Sequence, residues 1–365
     1  MKVVVAGAGV IGCAVAYELA ARGAEVVVLD PRSAGEGATR ASAGVLAPYI
    51  EGHSQTFLTL GATGLAEYDQ FIGRVRADSG LSVEYARTGT LQVALNDEQA
   101  ELLRQIADRH RSSGVEHQYM DAKESRALEP SLADATTGGL FVPTHGYVAA
   151  RELTAALVAA AERHGAVFRN GCAAERLSCV TTGVRISTTA EAIDADAVVL
   201  AAGSWSGQVH IEKAPAAPVK PIRGQLLQLA CPAALASRVI WGTDCYLVPW
   251  QDGRLLVGAT MEDVGFDEGA TAAGVRDLLE AACELLPGVW KARFQEVRVG
   301  LRPASSDELP IIGRAAGCDR VCYATAHYRN GILLAPLTAM AVAELVLNGR
   351  ERPELAFTKP SRFGL

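Results

Sequence analysis

Two groups of residues in this chain can do chemistry. The first is Gly7-x-Gly9-x-x-Gly12 in GAGVIG, with Asp30 at the end of the next apolar run. Gly7 permits a tight turn, Gly9 lets backbone approach a pyrophosphate, and Gly12 lets a helix pack on a strand. Asp30 stands where a carboxylate binds ribose hydroxyls. This is the chemistry of dinucleotide binding, with the pyrophosphate at the free N–H groups and positive dipole end of a helix. The second group is cationic. Arg302 in GLRPAS and Arg329 in HYRNGILLAP both lie in apolar surroundings, where an unpartnered guanidinium is costly. Arg302 either grips a ligand carboxylate through two parallel hydrogen bonds or pairs with Asp307 or Glu308 of its own loop. Arg329 is either a site residue or half of a structural ion pair.

The elements that must position these groups show in the periodicity. KVVVAG and AEVVVLD are short apolar runs, the pattern of strands buried on both faces, and VIGCAVAYELAARG between them has helical spacing ending at Gly23. ARELTAALVAAAERHG (150–165) is a further amphipathic helix, AVFRN a strand, and ADAVVLAAG (195–203) another buried strand. From 219 to 305 the texture changes to long alternating segments joined by turns, interrupted by the helix AAGVRDLLEAACELLP. EYARTGTLQVAL (84–95) and GGLFVPTHGYV (138–148) share that texture and are expected in the same sheet. PLTAMAVAELVLNG reads as a helix with Pro336 in its first turn. The fold class is therefore α/β with an α+β second domain. A Rossmann-like nucleotide domain (1–83, 149–218 and 300–365) is interleaved with a domain on a large mixed or antiparallel sheet (84–148 and 219–299).

The composition narrows the function classes. A formal charge of -7 argues against a nucleic-acid partner. The hydrophobic share of 49% supports a sizeable core in 365 residues. The 8 cysteines show no metal-ligand spacing and read as reduced, buried thiols of a cytoplasmic protein. GILLAPLTAMAVAELVL is short for a bilayer span and contains Pro336 and Glu344, so no membrane span is expected.

The fingerprint alone does not choose between FAD and NAD. GATRASAGVLAPY (37–49) offers N–H and hydroxyl donors that suit a long extended cofactor, and LAAGSWS (200–206), with Ala202, Gly203 and Trp205, is a second small-residue crossing point. At this point the chain resembles the D-amino-acid-oxidase family of FAD flavoenzymes, most closely its glycine oxidase branch associated with thiazole biosynthesis. The resemblance rests on GAGVIG, ASAGVLA, VVLAAGSWSG, CYLVPWQDGRLLVGATME, GLRPASSDELPIIGR and HYRNGILLAP, in that order.

The resemblance implies non-covalent FAD stretched through the first domain. It implies a substrate α-carboxylate held by Arg302 and the Tyr246 phenol, with Arg329, Met261 and Ala47 nearby; apart from the resemblance, Tyr246 reads equally as a core aromatic and Met261 as core filler. Cofactor contacts fall on Val10, Ile11, Asp30 and Pro31, on Ala38, Thr39, Ala43, Gly44 and Val45, and on Ala173. They also fall on the stretch His327, Tyr328, Arg329, Asn330, Gly331, Ile332 and Leu333. The sequence departs from that branch at Asp244, Val45 and Ala47, where histidine, methionine and glycine are expected. These changes bear on the substrate and not on the reaction class. Cys322, in the apolar run RVCYATA, is not expected to bind flavin covalently.

The implied reaction is oxidation of glycine or another small amino acid (a D-amino acid or sarcosine) by hydride transfer to flavin N5. Imine, keto acid and ammonia follow, with O2 as acceptor and H2O2 as product. No side chain in these motifs stands out as an acid or base, and His327 reads as a backbone element beside the flavin. A homo-oligomer is expected. Two other readings stay open: a D-amino-acid or secondary-amine dehydrogenase that passes electrons to a quinone or carrier, and a non-catalytic nucleotide-binding module.

Overall fold

The computed structural model describes residues 1–50 and 55–365. A six-stranded sheet runs in the order Ile311–Ala315, Cys318–Thr325, Ala197–Leu200, Lys2–Ala6, Glu25–Asp30, Val167–Asn170. Its strands are parallel except Ile311–Ala315, which closes one edge as an antiparallel neighbour of Cys318–Thr325. In Lys2–Ala6, Val3 and Val5 enter one core while Val4 and Ala6 enter another, which is why the run is apolar throughout. Each valine so buried contributes about 1.5–3 kcal/mol.

Helices Val10–Ala21, Ala150–Arg163 and Gly331–Asn348 cover the first face. The helix Val10–Ala21 is buried from Val10 to Ala20. Its one charge, Glu18, is satisfied by Arg22 at 3.1 Å and Arg74 at 2.5 Å. The second face is covered by a four-stranded sheet built from Ala174–Val180, Gly183–Thr188, Ala192–Ala195 and His210–Ile211. Its strands are short and half polar, because only one face is buried, and the sequence reading does not separate them.

The second large sheet has eight strands in the order Arg293–Ala304, Lys220–Ala230, Arg254–Gly258, Tyr246–Pro249, Val239–Trp241, Thr90–Ala94, Gly138–Val142, Gln118–Asp121. It is mixed, since Val239–Trp241 runs parallel to Thr90–Ala94. Helix Ala272–Leu285 packs on one face, its first turn capped where Gly274 N donates to Thr271 Oγ1 at 3.1 Å. On the other face Leu226, Val239, Val248 and Leu256 meet Ala41 and Ala43 of the small-residue segment. The flanks of two expected strands leave this sheet. Gly146–Val148 is the central strand of a separate three-stranded sheet, paired with Tyr85–Ala86 on one side and Val45–Leu46 on the other.

Three expectations are corrected. The helix read from Pro336 begins at Gly331, so Pro336 lies past its first turn. Proline removes the N–H that would bond the carbonyl four residues back, that of Ile332. Tyr68 Oη donates to that carbonyl instead, at 2.5 Å, and the helix continues. Second, Cys179 and Cys318 are joined as a disulfide, because the edge hairpin brings Cys318 against the four-stranded sheet; the other six cysteines are free. Third, the run read as short for a bilayer span belongs to a segment, Tyr328–Asn348, long and apolar enough to cross one; most of it is buried inside the protein, as in a core helix.

Candidate active site

One cavity of about 1040 Å³ runs from the fingerprint turn to the second sheet. Pockets for small ligands usually span roughly 300–1,000 Å³, so this one is dinucleotide-sized.

Its first end is built by glycines. Gly7 has φ +113, and a Cβ there would lie 2.3 Å from the Ala201 carbonyl oxygen. A Cβ on Gly12 would lie 1.8 Å from the Gly7 carbonyl oxygen, so the turn closes only without side chains. Gly9 is the N-cap of the first helix, extended at φ -70 and ψ 178, with no side-chain cap. The first-turn amides therefore have no intrahelical acceptor, and Gly9, Val10 and Ile11, which carry them, line the cavity. Only Thr39 comes near Gly9, and its Oγ1 accepts from Val10 N at 3.0 Å. Asp30 accepts from Ala8 N at 2.7 Å and from Arg32 N at 2.8 Å. Burial raises its carboxyl pKa, against the lowering effect of those two amides.

At the other end Arg302 projects from the strand Arg293–Ala304. Its Nη1 donates to the carbonyls of Thr260 at 2.9 Å and Arg223 at 3.3 Å. Neither acid of its own loop reaches it. Asp307 binds Arg362 at 2.7 Å, and Glu308 lies 3.6 Å from Arg329. Among the described residues no carboxylate pairs with Arg302. Tyr246 is stacked on Trp241, centroids 4.7 Å apart. Met261 lines the mouth and is 64% exposed, with Tyr328 Oη 3.0 Å from its sulfur.

The roof comes from the start of the last long helix. His327, Tyr328, Arg329, Asn330, Gly331 and Ile332 line the cavity. His327 is buried, its Nε2 is 3.0 Å from Thr338 Oγ1, and burial holds its pKa down at about 3. It is therefore a neutral, structurally engaged imidazole and is poorly placed as a base.

Of the residues assigned from the sequence to cofactor or substrate, all line this cavity except Gly12 and Leu333. Gly12 sits behind the turn, and Leu333 is 2% exposed within the helix-side core. Cys322 is also in that core and away from the cavity. Arg32, Gly224, Trp241, Gly258 and Thr260 line it too and escaped the sequence reading. The signal available for the two glycines was their position inside otherwise apolar strands.

A Rossmann-type turn joined through one cavity to a second, mixed sheet defines the class of a dinucleotide-dependent oxidoreductase. The FAD dependent oxidoreductase (DAO) family model matches residues 2–345, and the chain belongs to that family. It is 32% identical over 358 residues to glycine oxidase of Geobacillus kaustophilus, covering 97% of this chain and 94% of that one. The crystal structure of glycine oxidase from the same organism superposes with a TM-score of 0.93, covering 98% and 97% of the two chains. A bifunctional ThiO/ThiG protein of Nostoc sp. is 34% identical over 366 residues, which are 99% of this chain and 55% of that protein. The uncapped helix turn, the side-chain-free cradle and the extended cavity fit FAD.

Proposed function

We propose that the protein oxidises glycine or a similarly small amino acid with non-covalent FAD. Bound at this cavity, FAD would take the two electrons and the hydrogen of the substrate C–H bond. The chain's own residues then have three tasks. Arg302 binds the α-carboxylate, with the Tyr246 hydroxyl as a second donor and Arg329 beside them. The small side chains of Ala47 and Val45, with Met261 at the mouth, limit the substituent on the α-carbon. The amides at the start of the helix Gly331–Asn348 supply positive potential at the ring end.

No protein base is required when the amine arrives neutral, since its nitrogen lone pair would become the second C–N bond of a protonated imine as hydride leaves carbon, and the extra proton then passes to water. Water then hydrolyses the imine to keto acid and ammonia. O2 takes up the two electrons and two protons and leaves as H2O2. A role in thiazole formation for thiamine accords with the bifunctional ThiO/ThiG relative. A cytoplasmic location belongs to the same reading, and the Cys179–Cys318 link is the feature that argues against it.

The observation that carries the proposal is the Arg302 guanidinium, set inside the cavity and bonded, among the described residues, only to backbone carbonyls. The test is anaerobic mixing of the yellow holoenzyme with glycine, sarcosine, D-alanine, D-proline and bulkier D-amino acids. Glycine or another small member should bleach the flavin, and admitting air should yield one H2O2 per turnover. A flavin that stays oxidised with all of them would refute the reading.

A further inference from the structure

Arg302 and Tyr246 stand on the outer two of four adjacent strands, Arg293–Ala304, Lys220–Ala230, Arg254–Gly258 and Tyr246–Pro249. The inner two carry glycine where these side chains lean inward. A Cβ on Gly224 would lie 2.4 Å from Cζ, Nη1 and Nη2 of Arg302 alike, so the flat guanidinium rests on bare Cα. A Cβ on Gly258, the direct cross-strand partner of Tyr246, would lie 2.5 Å from Tyr246 Cζ and 2.6 Å from its hydroxyl oxygen. Neither glycine has a left-handed φ, so backbone conformation does not demand glycine at either position. A glycine inside a buried strand weakens it, and its common justification is close approach of another group.

We infer that Gly224 and Gly258 are positioning residues for substrate binding: they form a floor, free of side chains, on which the guanidinium and the phenol converge. Arg302 reaches across Gly224 to the Thr260 carbonyl at 2.9 Å, and that contact fixes the direction of the fork. Trp241, stacked on the Tyr246 ring, keeps the phenol over Gly258. A methyl on either floor position lifts the group above it and spoils the grip while leaving the FAD-binding turn untouched.

The inference rests on the carboxylate role proposed for Arg302, and the experiment separates the two. In the holoenzyme, Gly224→Ala should raise KM for the amino-acid substrate by about ten- to a hundredfold, the scale of a small misplacement in a binding constellation. FAD content and its visible spectrum should stay as in the parent, and kcat should fall far less than KM rises. In an Arg302→Lys background, whose slender ammonium does not lie on Gly224, the same glycine change should have little further effect.

If Gly224→Ala alone yields no folded holoenzyme, then Gly224→Ala with Arg302→Ala must restore it, because the obstructing guanidinium is gone. Failure of that double variant to fold overturns the inference, as does an unchanged KM in Gly224→Ala or an equal loss in both backgrounds. An Arg302→Ala enzyme with unchanged KM would instead overturn the carboxylate role itself.

Discussion

Arg32 holds Glu268 by two parallel hydrogen bonds of 2.9 and 2.7 Å, tying the end of the strand Glu25–Asp30 to the loop after Arg254–Gly258. The same guanidinium lies 4.7 Å over the Trp205 ring, and Trp205 in turn meets Phe266 at 5.8 Å. Arg32 and Trp205 both line the cavity, so the loop is clasped to its wall.

Glu268→Gln should therefore loosen FAD. The pair is about one-third exposed on each side, which limits its worth to the range of exposed pairs. The expected change is about a two- to fivefold rise in the FAD dissociation constant, shrinking as salt is added. Fluorescence of FAD released on dilution measures it, and an unchanged constant at low salt would remove the clasp from cofactor retention.

The Tyr68 hydroxyl and Pro336 solve one problem together, since both concern the Ile332 carbonyl. Tyr68→Phe leaves that buried acceptor without a donor, which costs about 1–3 kcal/mol. Pro336→Ala returns a backbone N–H to the same oxygen, so the double variant should regain most of the loss. Urea titration of the two single variants and the double variant decides. Strictly additive losses would show that the two residues do not share this acceptor.

How much of this was legible in the sequence follows the range of each interaction. Gly7, Gly9, Gly12 and Asp30 lie within two consecutive strands and their connecting helix, so spacing alone exposed them. The partner of Arg302 was not legible. Asp307 and Glu308 are its neighbours in sequence, yet Asp307 goes to Arg362, 55 residues on, and Glu308 to Arg329. Gly224 and Gly258 interrupt apolar strands, which is a local signal, but what each makes room for depends on cross-strand register and was not legible. The early start of the last helix was hidden because the usual rule places proline in the first turn, and the compensating hydroxyl of Tyr68 comes from 264 residues away.

Acid should destabilise the protein through buried imidazoles. His145 is fully buried and stacked on Tyr49 at 5.4 Å, and neither ring nitrogen has a hydrogen-bond partner among the described residues. Burial holds its pKa at about 3, like that of His327. The unfolded chain takes up these protons near pH ~6.5 and the folded chain does not. Stability is thus fully present above pH ~6.5 and falls as pH drops from there toward 3. His145→Phe keeps the ring and removes the titration. It should raise stability by about 1 kcal/mol at neutral pH and flatten the loss between pH ~6 and ~4. Thermal melts across that range test this, and an unchanged pH slope would exclude His145 as a contributor.

Asp244 is an exposed acid lining the cavity at the end where the substrate is proposed to bind, next to Thr243 and two residues before Tyr246. Its charge opposes any guest whose side chain ends in a second carboxylate, and it leaves glycine, which has no side chain, almost unaffected. Asp244→Asn should therefore lower KM for iminodiacetate or D-aspartate relative to glycine. At this exposure the expected gain is about two- to fivefold, and screening should erase it near 1 M salt. Ratios of kcat/KM at low and high salt measure it. A gain that is equal for glycine, or that persists at high salt, would mean that Asp244 acts through the shape of the Trp241–Tyr246 turn and not through its charge.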